Sequence, residues 1–271
     1  MVPPDWEMLS RYVAFLARSK RPSTIRQYLN IIRILHLQAD LPNPCLDNFK
    51  LDSLLAGIRR VRGTAQAYKL PVSPNHLLNL RRHLDMNNMC DCQLWAAILV
   101  GFGGLLRVSN FTDSDKCARR QDVHMVEGGL RIFIHSSKTI QFQQRHHVVH
   151  LPVLKDQPLC PVSALVTFLS RSMAVPDGAP LFSMVRGGRV VPLSSEASRR
   201  RLATLFSACG LPCDQYNTHN LRRGGATWLI CAGVPLEVVK KLGDWKSDSI
   251  IRHITPDSGQ ILQTLSSVKL Q

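Results

Sequence analysis

The chain has 271 residues, 45% of them hydrophobic, and its 34 Lys and Arg against 19 Asp and Glu give a net charge of +15. This length and composition predict a folded protein with one large core or two smaller ones. No stretch reaches the ~18 uninterrupted apolar residues of a membrane span, and the N-terminus lacks the pattern of a secretory signal. We therefore expect an intracellular protein, away from membranes, with a polyanionic partner.

The first part of the chain is predicted to be helical. Apolar residues recur at helical spacing in 6–17, after Pro22-Ser23-Thr24, and in roughly 47–61. Two prolines and polar residues at 69–74 indicate a linker. The predicted boundaries are a helical domain at 1–68, a linker at 69–75 and a second domain at 76–271.

The second part is predicted to mix helices and strands. Helices at about 75–85 and 91–103 precede strand patterns at 123–126, 130–137 and 146–153, with a turn at Gly128-Gly129. Helical patterns return at 161–173, 194–208, 219–232, 235–242 and 247–253. The predicted fold class is therefore mainly α with a small antiparallel β-sheet.

Eight cysteines are scattered along the chain without a Cys-x-x-Cys pair. This pattern favours free thiols in a reducing compartment. A zinc site at Cys209, Cys213 and His219 lacks a second pair of ligands, so we expect no metal.

Three fragments place strong phosphate-binding side chains at predicted breaks between elements. They are LLRVS around Arg107, SKT around Lys138, and THNLRRGGAT at 218–227. Thr218 is in position to cap a helix, which would put His219 and Arg222 one turn apart on the same face. Guanidinium groups can hold the nonbridging oxygens of a phosphodiester in two-point contacts while charge builds on phosphorus.

The order GFGGLLRVSN, SSKTIQ, HNLRRGGAT and AGVPLEVVKKLGDWKSDSIIRHI resembles the catalytic domain of tyrosine recombinases, the phage-integrase family, over roughly residues 70–255. The GDWKSD wording is most similar to eukaryotic mobile-element recombinases, and the helical first part resembles the family's core-binding domain. The resemblance implies a two-domain architecture, duplex DNA as partner, and a nuclear location if the host is eukaryotic. It implies no metal and no cofactor, because the energy of the broken bond is stored in a covalent enzyme link.

The resemblance also implies a role for each site residue. Arg107 and Arg222 would clamp the scissile phosphate, and Trp245 would donate its indole N–H to the same phosphate. Lys138 would protonate the departing 5′ oxygen, and His219 would assist proton transfer or hold the phosphate.

His253 stands at the position where the family carries its nucleophilic tyrosine. Three explanations are open: a lost nucleophile in a DNA-binding recombinase body, an imidazole nucleophile forming a phosphohistidine link, and a tyrosine supplied from elsewhere, such as Tyr216 or a partner chain. Asn110 stands where many relatives carry an acidic residue, so any orienting role there would be through hydrogen bonds.

The remaining basic residues are spread along the chain, as expected for a body that follows a phosphate backbone. The predicted DNA-binding residues are Arg59, Arg60, Arg81, Arg82, Arg199, Arg200, Arg201 and Arg223. The apolar spacing of 260–268 predicts a tail that docks on its own domain or on a neighbouring protomer, the latter giving a dimer or tetramer on DNA.

The predicted function is DNA binding for site-specific recombination or integration, with impaired strand cleavage. The alternatives are a non-catalytic regulatory protein derived from a mobile element, and a topoisomerase-like or nuclease-like enzyme that uses His253.

Overall fold

A computed structural model describes residues 5–63, 70–137, 140, 145–154, 157–213, 215–247, 250–251 and 254. The chain divides into two compact units, residues 1–67 and 68–271. Within the described residues, no helix combines the length and the hydropathy needed to cross a membrane.

The first unit contains three helices: α1 at Trp6–Ala17, α2 at Pro22–Gln38 and α3 at Phe49–Arg62. The side chains of Asp5 and Asn48 accept hydrogen bonds from backbone N–H groups at the starts of α1 and α3. The helices bury one apolar cluster, formed by Leu9, Val13, Leu16, Ile25, Leu29, Leu51 and Leu55. The helical pattern predicted for this part of the chain is thus confirmed.

The described helices of the second unit are α4 at Pro74–Arg82, α5 at Met89–Gly103, α6 at Val108–Phe111, α7 at Pro161–Ser170, α8 at Ser195–Ala208, α9 at His219–Cys231 and α10 at Leu236–Leu242. Helix α5 is buried at every position from Asp91 to Phe102. It is therefore the central helix, and α7 and α9 both pack against it. Of the predicted helix at 247–253, the described residues are Ser247, Ile250 and Ile251, and the last two form a 3-10 turn.

The strands of the second unit form two antiparallel sheets. Strands β1 at Val123–Val126, β2 at Gly129–Ile134 and β3 at His147–Pro152 lie in the order β1-β2-β3, and the last pair of the β2–β3 register is Ile134 opposite His147. A second hairpin, β4 at Ser183–Arg186 and β5 at Arg189–Pro192, was not predicted. Its turn is Gly187-Gly188, where both residues have a positive φ, of 57° and 72°.

Helix α9 approaches its neighbours closely because of two adjacent glycines. A Cβ on Gly225 would lie 2.1 Å from the carbonyl oxygen of Phe102, and one on Gly224 would lie 2.0 Å from that of Val72. Backbone therefore touches backbone on this face of α9. This contact brings Arg222, one turn earlier on the helix, to the end of α5.

Candidate functional site

Arg222 is the most buried of the described members of the predicted site, with 3% of its surface exposed. Its two terminal nitrogens donate hydrogen bonds to the carbonyl oxygens of Leu105 and Gly243. The guanidinium carbon lies 3.8 Å from the ring centroid of Trp245. Arg222 is thus fixed on three sides by the fold.

The segment that follows α10 places Trp245 over Arg222. Gly243 ends the helix, and Asp244 has a positive φ of 54°, which turns the chain sharply. A Cβ on Gly243 would lie 1.7 Å from a ring carbon of Trp245. Only glycine allows the indole to fold back against the backbone at this point, so the residue before Asp244 helps to place the ring.

Arg107 and Arg222 are neighbouring cations that both interact with the carboxylate of Asp244. Arg107 lies at the start of α6 and is half-buried. Burial lowers the pKa of Arg107, and the carboxylate of Asp244 opposes this shift. Burial, and then the charge of Arg107, lower the pKa of Arg222 to about 9. Asp244 is also engaged by Arg145, whose guanidinium donates to its carboxylate.

His219 begins α9 and is exposed. Desolvation of the ring lowers its pKa, as do the charges of Arg222, Arg223 and Arg107. The imidazole is therefore held in its neutral form near neutral pH. We refer to Arg107, His219, Arg222, Asp244 and Trp245 together as the arginine cluster.

The predicted cap of α9 is wrong. Thr218 has helical backbone angles, φ −56° and ψ −32°, and its side chain makes no capping hydrogen bond. Instead, Asn217 accepts a 2.9 Å hydrogen bond from the backbone N–H of His219 through its side-chain oxygen. Asn217 thus caps the helix one residue earlier than predicted, because its side-chain oxygen accepts from the N–H two residues after it.

His147 is a neighbour of the cluster that sequence reasoning missed. It is the first residue of β3 and is half-buried. Desolvation lowers its pKa, while Asp244 and a hydrogen bond to the backbone of Leu242 oppose the shift. The sequence shows only a histidine at a strand end. Its position beside Asp244 depends on the packing of α10 against β3.

Lys138 and His253 both lie outside the described residues. The residues that flank the 138–139 segment, Ser137 and Ile140, are buried and exchange two backbone hydrogen bonds of 3.2 and 3.1 Å. Asn110 is buried and donates through its side-chain nitrogen to the carbonyl oxygen of Ser136, at 3.2 Å. The chain next to Lys138 is therefore tied to α6, the helix that begins beside Arg107.

Three of the predicted DNA-binding arginines lie together on α8, and each meets a carboxylate. Arg199 and Arg200 lie 3.0 and 3.9 Å from Glu196, at i+3 and i+4. Arg201 pairs with Asp91 at 3.0 Å, and the side chain of Asp91 is only 12% exposed. The charge of this run is therefore partly neutralised within the fold.

The other predicted DNA-binding arginines lie at helix ends and on α9. Arg59 and Arg60 are in the last turn of α3, and Arg81 and Arg82 are in the last turn of α4. Arg60 and Arg82 are exposed, whereas Arg223 is half-buried next to Arg222. Cations in the last turn of a helix are stabilised by the helix dipole, whether or not they bind DNA.

The sequence model that describes the phage integrase family matches residues 77–257, which is more than half of the chain. The chain belongs to the phage integrase family, the tyrosine recombinases. An integrase/recombinase xerD homolog from Selenomonas ruminantium is 25% identical over 232 residues. These residues cover 83% of this chain and 66% of that relative, just under two thirds of its length.

Solved structures of recombinases share the fold. XerA recombinase matches with a TM-score of 0.57 at 16% identity, and the match covers 98% of this chain and 85% of the XerA chain. XerH bound to palindromic difH substrate has a TM-score of 0.62 at 14% identity, with coverages of 97% and 70%. The Tn1549 transposon integrase in complex with transposon right end DNA has a TM-score of 0.64 at 13% identity, with coverages of 96% and 83%. The predicted fold class is confirmed.

Proposed function

We propose that this tyrosine recombinase binds duplex DNA for site-specific recombination and holds one backbone phosphate in the arginine cluster. The observation that carries the proposal is an excess of positive charge among the described residues of the cluster. There, Arg107 and Arg222 carry two positive charges and Asp244 one negative charge, and Asp244 also pairs with Arg145 from outside the cluster. Because burial strengthens the repulsion among these cations, an anion at this point would stabilise them.

Arg222 retains donors for such an anion. Each terminal nitrogen of a guanidinium carries two N–H groups, and the hydrogen bonds to Leu105 and Gly243 use one on each. The stacked ring of Trp245 fixes the plane of the guanidinium, so the remaining donors are pre-organised. In this proposal Arg107 supplies the second fork, and Trp245 adds its indole N–H.

The proton-transfer groups are assigned within the same proposal. A neutral His219 beside the phosphate can accept or pass a proton. Lys138 would protonate the departing 5′ oxygen; it lies between Ser137 and Ile140, which are buried and hydrogen-bonded to each other.

The nucleophile is the residue in which this chain departs from the family. Tyr216 is a poor substitute, because it is 5% exposed and packs against Phe206 and His76 with centroid distances of 5.4 and 5.6 Å. Burial also raises the pKa of its hydroxyl. An imidazole at His253 would form a phosphoramidate, which hydrolyses more readily than a phosphotyrosine. We therefore propose that DNA binding persists and that cleavage with rejoining is impaired.

The relatives support a DNA partner and an origin in a mobile element. XerH was solved with difH substrate, and the Tn1549 integrase with transposon right end DNA. From the apolar spacing of 260–268, a segment outside the described residues, we propose that copies of this chain assemble on DNA through this tail. Action on chromosomal DNA would require a nuclear location in a eukaryotic host.

DNA binding is tested by fluorescence anisotropy with labelled duplexes of randomised sequence at increasing salt. We expect affinity to fall steeply as salt rises, because many phosphate contacts release counterions. Arg107→Ala should weaken binding, whereas Arg199→Ala, whose partner is Glu196, should weaken it little. A flat salt response, or equal effects of the two substitutions, would contradict the proposal.

Cleavage is tested with a randomised pool of nicked duplexes that lose a short fragment when cut. The unmodified chain should give no acid-stable protein–DNA adduct, whereas His253→Tyr should give one. The control His83→Tyr adds a tyrosine at an exposed site at the end of α4 and should give none. An acid-stable adduct from the unmodified chain, or none from His253→Tyr while the pool is bound, would overturn the assignment of His253.

A further inference from the structure

Two histidines face each other where the β2–β3 hairpin opens. His135 directly follows β2 and His146 directly precedes β3. They are the next opposed pair after Ile134 and His147 in the antiparallel register. Their Nδ1 atoms lie 2.9 Å apart, and the ring planes meet at 79°. Cross-strand side chains at this separation can hold a common ligand.

A buried carboxylate fixes the orientation of one of these rings. Asp122 is 6% exposed, and its Oδ1 lies 2.9 Å from Nε2 of His135. Its Oδ2 accepts a 2.7 Å hydrogen bond from the backbone N–H of Arg119. Because an ionised carboxylate only accepts, a neutral His135 carries its proton on Nε2. The lone pair of its Nδ1 then points towards His146.

We propose that His135 and His146 bind a divalent transition-metal ion of the Cu²⁺ or Ni²⁺ type. Two nitrogens held ~2.05 Å from one ion at a right angle are ~2.9 Å apart, and square-planar or tetragonal nitrogen sites suit Cu²⁺ and Ni²⁺. In the structure the two Nδ1 atoms share a 2.9 Å hydrogen bond, and the ion would take the place of the proton between them. A tetrahedral zinc ion would require ~3.3 Å between the same atoms.

The surroundings of the pair fit such a site. Asp122 hydrogen-bonded to the far nitrogen of His135 is the carboxylate–histidine arrangement that orients metal ligands and raises their basicity. The side chain of His135 is 52% exposed, which gives an ion a path of entry. Among the described residues no cluster of three His, Cys, Asp or Glu ligands occurs, so water would complete the coordination sphere. The bound ion would cross-link the end of β2 to the start of β3.

This inference goes beyond the proposed function, which uses no metal, so the metal site and the DNA-binding function can be tested independently. The full chain is first treated with a chelator, and Cu²⁺ and Ni²⁺ are then titrated into it separately by calorimetry. The Cu²⁺ complex is also examined by electron paramagnetic resonance. We expect one ion per chain and a spectrum with two nitrogen ligands. His135→Ala and His146→Ala should each abolish this site, and Asp122→Asn should weaken it ~10–100-fold. His83→Ala, at an exposed histidine elsewhere in the unit, should leave it intact.

Thermal unfolding of each variant shows that loss of binding is not loss of the fold, and the ion should raise the Tm of the unmodified chain but not of His135→Ala. Equal losses with His83→Ala and His135→Ala would show scattered surface binding and overturn the proposal. A Cu²⁺ spectrum of the unmodified chain with oxygen ligands alone would overturn it without reference to any variant.

Discussion

The arginine cluster and the arginine run on α8 place the same side chain in opposite surroundings. In the cluster, Arg222 is buried beside a second cation and is held by carbonyl oxygens and an indole ring. On α8, Arg199, Arg200 and Arg201 lie at the surface and pair with carboxylates of their own unit. The most conspicuous basic run in the sequence is thus the better neutralised of the two. Surroundings, more than the number of arginines, indicate where an anion would bind.

The sharpest test of this comparison is Arg222→Ala. Its loss leaves the carbonyl oxygens of Leu105 and Gly243 without their donor and opens a cavity beside Trp245. We expect the free energy of unfolding to fall by about 3–5 kcal/mol, measured by urea denaturation. Arg107→Ala is the contrasting variant. Because Arg107 lowers the pKa of Arg222, its removal should leave stability unchanged or slightly higher while DNA affinity falls.

The close packing of α9 is tested by Gly225→Ala. The added methyl group would lie 2.1 Å from the carbonyl oxygen of Phe102, so α9 must move away and carry Arg222 with it. We expect a loss of about 1–3 kcal/mol in urea denaturation, together with weaker DNA binding. Gly178→Ala is the control, because nothing lies within 4 Å of its added Cβ. Equal stability of the two variants would show that the backbone contact does not position the arginine.

Within α8, Arg201 and Arg199 should differ in stability. Arg201→Ala leaves the largely buried carboxylate of Asp91 without its cation and should cost about 1–2 kcal/mol. Arg199→Ala breaks an exposed i,i+3 pair and should change stability by less than about 0.5 kcal/mol. Thermal unfolding of both variants decides this. A larger loss of stability from Arg199→Ala than from Arg201→Ala would contradict the assignment of Arg201 as the structurally important member of the run.

The smallest expected effect is a dependence of stability on pH. The pKa values of His76, His147 and His219 are all lowered from 6.5, chiefly by desolvation. The unfolded chain therefore takes up protons that the folded chain does not, as pH falls from 6.5 towards the folded-state values. Stability should be full above this window and decline within it, measured by denaturation at a series of pH values.

The contribution of the cluster to this decline can be isolated. His219→Gln should make the decline shallower, because it removes one of the three groups. A phosphodiester in the cluster should raise the pKa of His219 by offsetting its arginine neighbours, which a proton NMR titration of the imidazole would detect. A pKa of His219 that is unchanged by bound DNA would argue against a phosphate at this position.

Much of the fold was predictable because its signals are local. The periodicity of α1, α2 and α9 is visible in the sequence. The turn predicted at Gly128-Gly129 lies one residue earlier, at Glu127-Gly128, because Gly129 pairs with Val126 as the first residue of β2. The β4–β5 hairpin was missed although Gly187-Gly188 marks its turn, because neither of its strands alternates between buried and exposed residues. The four residues of α6 are likewise too few for a helical period.

The site was predictable to the extent that its members belong to one ordered motif. The order of motifs indicated Arg107, His219, Arg222 and Trp245, and the structure brings these four together. Asp244 and His147 were not foreseen, because they meet only where α10 packs against β3. No local pattern encodes that contact.

The hydrogen bonds from Arg222 to Leu105 and Gly243 have a consequence for descent. An arginine that completes the interior of its domain is retained by selection for folding alone, as long as the domain has any use at all. A lineage that gave up strand exchange would therefore keep this arginine, while its nucleophile was free to change. Among descendants of mobile elements, the presence of this arginine indicates only that the domain still folds. The identity of the attacking residue indicates whether the domain can still cleave DNA.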